Sequence, residues 1–412
     1  MSTVIAPGSA SAGQFVKTLQ GQTGVGFQDG FHVHKDWFAK TMTYEQAHLK
    51  LESARGERVD IMAKRSHIEA VVDQETSCCK ILVQGQTFDP TPHAMSQIGA
   101  KISVSTQFLQ EMRNPLTKVK TTKGVKEDII AHNRDVRDAE VLADVINNGL
   151  RRVESDKVFR VRTYKDGTLR AFLTDSYAEI DNRQYLDIIS SIIPEGRVSH
   201  FRGDADEVWA NVLIPDTIMN YQDDDSDYGG MIMCSNSEIG TGPVYQAPST
   251  FRSICLNGCI WGQTTGQKSR WVHRGAVDYL ELHKAIHENI NSQIPLLVPY
   301  ITAMQEAKKL LFDSTRMVQI VGVIAKENGL SKPQAIEIVK QFSEFESDQR
   351  NAFGILNAVT RAGQFFDART CIKFDGIGGN IVNPKTWNAY ITKAKVFSEK
   401  DMLAVFGNGL AV

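Results

Sequence analysis

Apolar and polar positions alternate from Val59 to Phe88, and "SCCKILVQGQTF" turns at Gly85, so this stretch predicts strands with a hairpin. Just before it, "TYEQAHLKLESA" sets Ala47, Leu49 and Leu51 on a short helix. In "TPHAMSQIGAKISVSTQFLQEMR" the period changes: Met95, Ile98 and Ile102, then Phe108, Leu109 and Met112, recur every three or four residues around a Ser103-Val104-Ser105 break, with Pro92 as a helix start. Two short helices joined by a turn follow. A groove-reading role would rest on Thr106, Gln107, Gln110, Glu111 and Arg113, but Glu111 would face phosphate, so packing is the preferred reading.

"DAEVLADVINNGLRR" predicts a helix with Asp138 as N-cap and an apolar stripe of Val141, Leu142, Val145 and Ile146. "KVFRVRTYKDGTLRAFLTDSY" then places Asp166-Gly167 between two alternating runs, the turn chemistry of a β-hairpin. Phe159, Val161 and Thr163 share one face of its first strand and Arg160, Arg162 and Tyr164 the other, while Arg170 and Phe172 are expected on one face of the second. A helix over "RQYLDIISSII" ends before Pro194, and strands follow in "RVSHFRG", "DEVWANVLIP", "GGMIMCSNS" and "STFRSICLNGCIWG". From Ala276 onward the pattern is helical, with Gly329 as a stop and Pro333 as a start.

These elements predict an α+β chain: a loose arm over 1–30, an amino-terminal α+β unit over 31–114, a central, mainly antiparallel sheet domain with a hairpin-helix core over 115–275, and a carboxy-terminal helical subdomain over 276–412. The 412 residues and 42% apolar content suffice for more than one core. No run approaches the length of a membrane span and no charged segment precedes an apolar one at the start, which predicts a cytoplasmic protein without membrane partners. Six cysteines, two of them adjacent at Cys78 and Cys79, read as reduced thiols.

Net charge is only −2, yet it is unevenly spread: residues 113 to 170 hold 14 Lys and Arg against 9 Asp and Glu, and residues 171 to 230 hold 3 against 13. Lys118, Lys120 and Lys123 stand in a polar segment, Arg160, Arg162 and Arg170 in the hairpin, and Lys268 and Arg270 further on. Aromatics interleave with them at Tyr164, Phe172 and Trp271, and cations beside rings are a general way to hold single-stranded nucleic acid. Cross-strand pairing of the hairpin arginines with nearby acids is the competing reading, and the favoured one.

The chemistry-bearing motifs are weaker. Cys255 and Cys259 lack a second ligand pair for zinc, and His32 and His34 lack a partner. Asp223, Asp225 and Asp227 have calcium-loop spacing, but Tyr228 and Cys234 stand where Gly and Glu are required. "CSNSEIGTG" reads as a bend of many hydrogen bonds around Glu238. No catalytic residue, metal or cofactor is expected.

"PHAMSQIGAKISVSTQFLQEM", "RVRTYKDGTLRAFLTDSYAEIDN", "CSNSEIGTG" with "FRSICLNGCI", and "FGILNAVTRAGQ" resemble, in order and spacing, the phage/plasmid-like protein family, also catalogued as domain of unknown function 932. The resemblance spans roughly residues 90 to 365. It implies a protein of phages, plasmids and related mobile elements, in a bacterial host, and carries over no catalytic residues. The leading expectation is a DNA-metabolism protein that binds single-stranded DNA, as a homo-oligomer, and assists annealing or recombination. A non-enzymatic protein-interaction or host-takeover protein is the first alternative. A metal-assisted nuclease using Asp223, Asp225 and Glu238 is the second.

Overall fold

In the computed structural model, residues 41–54, 57–113, 120–122, 125–127, 136–203, 206–221, 224–252, 257–260 and 269–407 are described. They form an α+β protein with mainly antiparallel sheets, an amino-terminal α+β unit and a carboxy-terminal helical region. Helix α1 (Tyr44–Ala54) leads into β1 (Arg58–Lys64), β2 (Ile68–Asp73), β3 (Cys78–Val83) and β4 (Gln86–Pro90). Helices α2 (Pro92–Ile102) and α3 (Thr106–Arg113), a small ribbon β5 (Lys120–Thr122) and β6 (Val125–Glu127), and α4 (Val136–Arg151) come next, before the hairpin β7 (Val158–Tyr164) and β8 (Thr168–Thr174).

The first sheet has the order β1-β7-β8-β4-β3-β2. Its hairpin does not join the strands that follow it, as a domain beginning at 115 implies. It pairs backward: β7 runs along β1 from Arg58↔Tyr164 to Lys64↔Val158, and β8 meets β4 in parallel at Asp89↔Thr168. Local turn chemistry fixes a hairpin, while the open edges of β1 and β4 decide what it completes. Gly167, at φ 88°, supplies the left-handed residue that the turn requires.

One face of this sheet is filled by α2, α3 and α4, where Met95, Ile98, Leu109, Leu142 and Ile146 pack on Ile81, Phe159, Val161 and Phe172. Thr91 accepts the Ala94 N–H and Pro92 occupies the first turn of α2, so the start read from sequence is a real cap. Leu109 is fully buried, which makes the second short helix a packing element. At the sheet edge, Asn147 of α4 accepts the Ala70 N–H at 2.8 Å and donates to the Ala70 carbonyl at 2.9 Å. A side-chain amide thus stands where another strand could pair.

Helix α5 (Asn182–Ile192) connects to the second sheet, built from β9 (Arg197–Gly203), β10 (Glu207–Leu213), β11 (Met219–Tyr221), β12 (Asp224–Ser237), β13 (Val244–Arg252), β14 (Asn257–Ile260) and β15 (Ser269–Trp271). The order is β14-β13-β12-β10-β9, with β11 on β12 and β15 on β13. Its first face packs on α1, α5 and the first half of α6 (Tyr279–Glu306) through Leu186, Ile189, Ile232, Val244, Leu282 and Ile286. Helix α6 continues through Pro295 and Pro299 into the helical region of α7 (Met317–Glu327), α8 (Lys332–Phe345), α9 (Ala352–Gly363), α10 (Ala368–Ile381), α11 (Pro384–Ala394) and α12 (Glu399–Phe406). There Ile301, Ile324, Phe353, Phe374 and Trp387 form the core, and Tyr228 of β12 belongs to it.

Candidate functional site

The densest set of ionisable groups lies where the outer face of the first sheet meets the ends of the second. Strand alternation brings Arg58 and Asp60 of β1 and Arg160, Arg162 and Tyr164 of β7 to that face, because Phe159 and Val161 face the helices. Arg170 arrives by a β-bulge: Val161 pairs with Phe172, Arg162 with Ala171 and Thr163 with Leu169, so Arg170 is the extra residue. The bulge turns both Leu169 and Phe172 into the helix-packed core, which corrects the expectation that Arg170 and Phe172 share a face. Phe172 is 1% exposed, with its ring 4.6 Å from that of Phe159.

From the other side come Glu179 and Asp181 ahead of α5, Asp206 ahead of β10, and Glu238 just past β12. Arg58 bridges Asp181 and Glu238, and the Asn182 N–H donates to Glu238 Oε1 at 2.9 Å. Arg162 donates from Nε and Nη2 to Asp60 at 3.2 and 3.1 Å, pairs with Glu179 at 3.0 Å, and donates from Nη1 to the Glu238 carbonyl. Arg170 donates to Asp206 at 2.6 Å and lies 4.8 Å above the Tyr164 ring, whose hydroxyl donates to the same carboxylate. Arg160 closes the rim on Glu179 at 2.9 Å and Asp60 at 3.3 Å.

Four arginines therefore meet five carboxylates, and the charge of the seam is spent internally. Burial raises the Glu238 carboxyl above its ordinary range, against the opposing pull of Arg58. Burial likewise works to lower Arg58, but Glu238 and Asp181 outweigh it and hold the guanidinium above its usual value. Such a cluster joins two sheets with defined geometry and leaves its cations little reach toward an outside anion.

The residues expected to contact nucleic acid are thus divided. Arg162 and Arg170 are 2% and 0% exposed, Arg160 is a paired rim group, and Tyr164 is half-buried beneath Arg170. Lys118, Lys123 and Lys268 lie outside the described residues, and Lys120 is in β5. Trp271 packs with Val244 toward the core of the second sheet. Arg270 is exposed on the opposite face.

Sequence reasoning missed Arg58, Asp60, Glu179, Asp181 and Asp206. The signal was present in the charge map, where a basic segment ending at Arg170 is followed at once by an acidic one containing three of these carboxylates.

Among the described residues no group of three or more His, Cys, Asp and Glu could hold a metal ion. Asp223 and His32 lie outside them. Asp225 and Glu238 stand at opposite ends of β12, about 40 Å apart at ~3.3 Å per residue, far from the ~4 Å spacing of two-metal chemistry. Nor is any helix among the described residues long and apolar enough to cross a membrane. No family model, curated protein or solved structure matches this chain.

Arg270 closes a row that the registers define across the second sheet. Arg202 of β9 opposes Trp209 of β10, Trp209 opposes Ser235 of β12, Ser235 opposes Tyr245 of β13, and Tyr245 opposes Arg270 of β15. Directly opposed residues share a face, so two arginines flank two aromatic rings over about 19 Å, at ~4.8 Å per strand. Ile372 of α10 packs near Trp209 and Tyr245 on this face. Among the described residues, no carboxylate pairs with Arg270 or with the exposed Arg274 four residues on.

Proposed function

We propose that this chain binds single-stranded nucleic acid along the β15 edge of its second sheet, as a DNA-metabolism protein of a phage or plasmid that assists annealing without a catalytic step of its own. The observation that carries this reading is the end of the row at Arg270: an exposed arginine with no carboxylate partner among the described residues, directly across from Tyr245. Unpaired cations follow phosphate, and rings accept bases without regard to sequence. Arg274 extends the positive edge. The resemblance of four sequence blocks to the phage/plasmid-like family supports the biological setting. The closed charge balance of the seam supports an edge site over the hairpin.

Fluorescence anisotropy with a labelled single-stranded oligonucleotide at rising salt tests this. Each phosphate contact contributes about −0.7 to the slope of log K against log salt, so replacing Arg270 and Arg274 by alanine should flatten the slope by about 1.4. A titration without binding at low salt would remove the reading in favour of a protein partner.

A further inference from the structure

Strand β15 is three residues long and pairs with β13, so its placement needs a further anchor. His273, two residues past its end, is 8% exposed. Its ring lies parallel to that of Tyr177, with centroids 5.0 Å apart and planes 1° from parallel, and Nδ1 is 2.9 Å from the Ala178 carbonyl. A carbonyl only accepts, so Nδ1 carries the proton and donates. The other nitrogen, Nε2, is buried without a hydrogen-bond partner among the described residues. Gly275 completes the attachment: its N–H donates to the Ser176 carbonyl at 2.8 Å from a left-handed turn at φ 81°.

We propose that His273 is the positioning residue of the proposed nucleic-acid edge: as a neutral imidazole it pins the Arg270–Arg274 segment to the 176–178 loop, and a proton added at Nε2 releases that segment. This rests on the binding reading above. A proton gained at Nε2 would make it a buried donor, and among the described residues that nitrogen has no hydrogen-bond partner to accept from it. The charged groups around it oppose a second positive charge. Arg162 of β7 lies 5.6 Å from the Tyr177 ring centroid, and its own carboxylate partners, Asp60 and Glu179, are engaged by it. Glu238 is committed to Arg58, and Arg270 and Arg274 on the segment itself are cations. Tyr177, whose phenol burial holds in its neutral form, offers only its ring face, since its hydroxyl donates to the Ser237 carbonyl.

Burial lowers the imidazole below its ordinary value, the Ala178 hydrogen bond resists this, and Arg162 adds to it. With the docked value depressed, the segment is fully held above the free-imidazole range, about 6.5, and loses stability as pH falls through and below it.

The test measures oligonucleotide affinity from pH 7.5 to 5 for the parent, His273→Asn and His273→Phe, together with amide exchange of residues 269–276 corrected for the intrinsic effect of pH. Asparagine keeps a donor near the position of Nδ1 and phenylalanine keeps the stack; neither titrates. The parent should lose affinity on acidification, by at most about tenfold per pH unit, although protonation makes the protein more positive. Both variants should hold steady or bind slightly tighter. Parent and variants with the same pH profile, or a parent that binds tighter in acid, would overturn the pin. If the parent binds no oligonucleotide at any pH, the binding reading fails by itself. Exchange then decides the pin: protection of 269–276 lost in acid by the parent and kept by His273→Asn supports it, and equal protection in both overturns it.

Discussion

The hairpin and the β15 edge contain the same ingredients, arginines alternating with aromatics on short strands, and the fold assigns them opposite tasks. Arg162 and Arg170 lie inside a seam where carboxylates from another part of the chain neutralise them. Arg270, also on a strand and opposite a tyrosine, meets no acid among the described residues and stays exposed. Composition and spacing cannot separate the two cases. What separates them is whether an oppositely charged element packs across the strand, since a buried cation is tolerated only when paired.

The largest effect expected from this contrast is on stability. Replacing Glu238 by alanine takes a ligand from Arg58, removes the acceptor of the Asn182 N–H and leaves Arg170 with less counter-charge, at a cost of about 3–5 kcal/mol in urea unfolding. The Arg270→Ala, Arg274→Ala double variant should unfold within about 0.5 kcal/mol of the parent. If Glu238→Ala cost no more than that double variant, the seam would be a surface cluster and the contrast would collapse.

Binding should show the inverse order. Tyr245→Ala is expected to weaken the oligonucleotide complex by about 1–3 kcal/mol while leaving its salt slope intact, as stacking without charge requires. Tyr164→Ala, which removes a ring already covered by Arg170, should leave affinity unchanged. A reversal of these two results, measured by anisotropy at fixed salt, would return the site to the hairpin.

Much of the seam's framework was legible because it is local. Asp166-Gly167 announces the turn, and the alternation of Phe159 and Val161 with Arg160 and Arg162 gives the correct two faces. The bulge at Arg170 was not legible, since "TLRAF" alternates acceptably without one and only the register against β7 reveals the extra residue. The partners were also hidden: Arg58 and Glu238 are 180 residues apart, and Arg170 sits in the first sheet while Asp206 leads into a strand of the second. The adjacent basic and acidic segments of the uneven charge map are in part the two halves of one internal contact. Likewise the sequence offers Trp271 as the ring beside Arg270, whereas alternation sends it to the opposite face and the cross-strand neighbour Tyr245 takes its place.

The smallest effect is the sharpest probe of where the seam ends. Arg160 is the most open of the three hairpin arginines, with 20% of its side chain exposed, and its partners Asp60 and Glu179 are both held by Arg162 as well. Removing it leaves neither carboxylate without a cation, so Arg160→Ala should cost about 0.2–1 kcal/mol, the range of an exposed ion pair, and less at high salt. Its affinity for the oligonucleotide and its salt slope should equal those of the parent, because the guanidinium is directed at carboxylates rather than outward. Should Arg160→Ala instead flatten the slope as much as Arg270→Ala does, the rim of the hairpin would belong to the binding surface, and the line between structural and binding arginines would run through β7 itself.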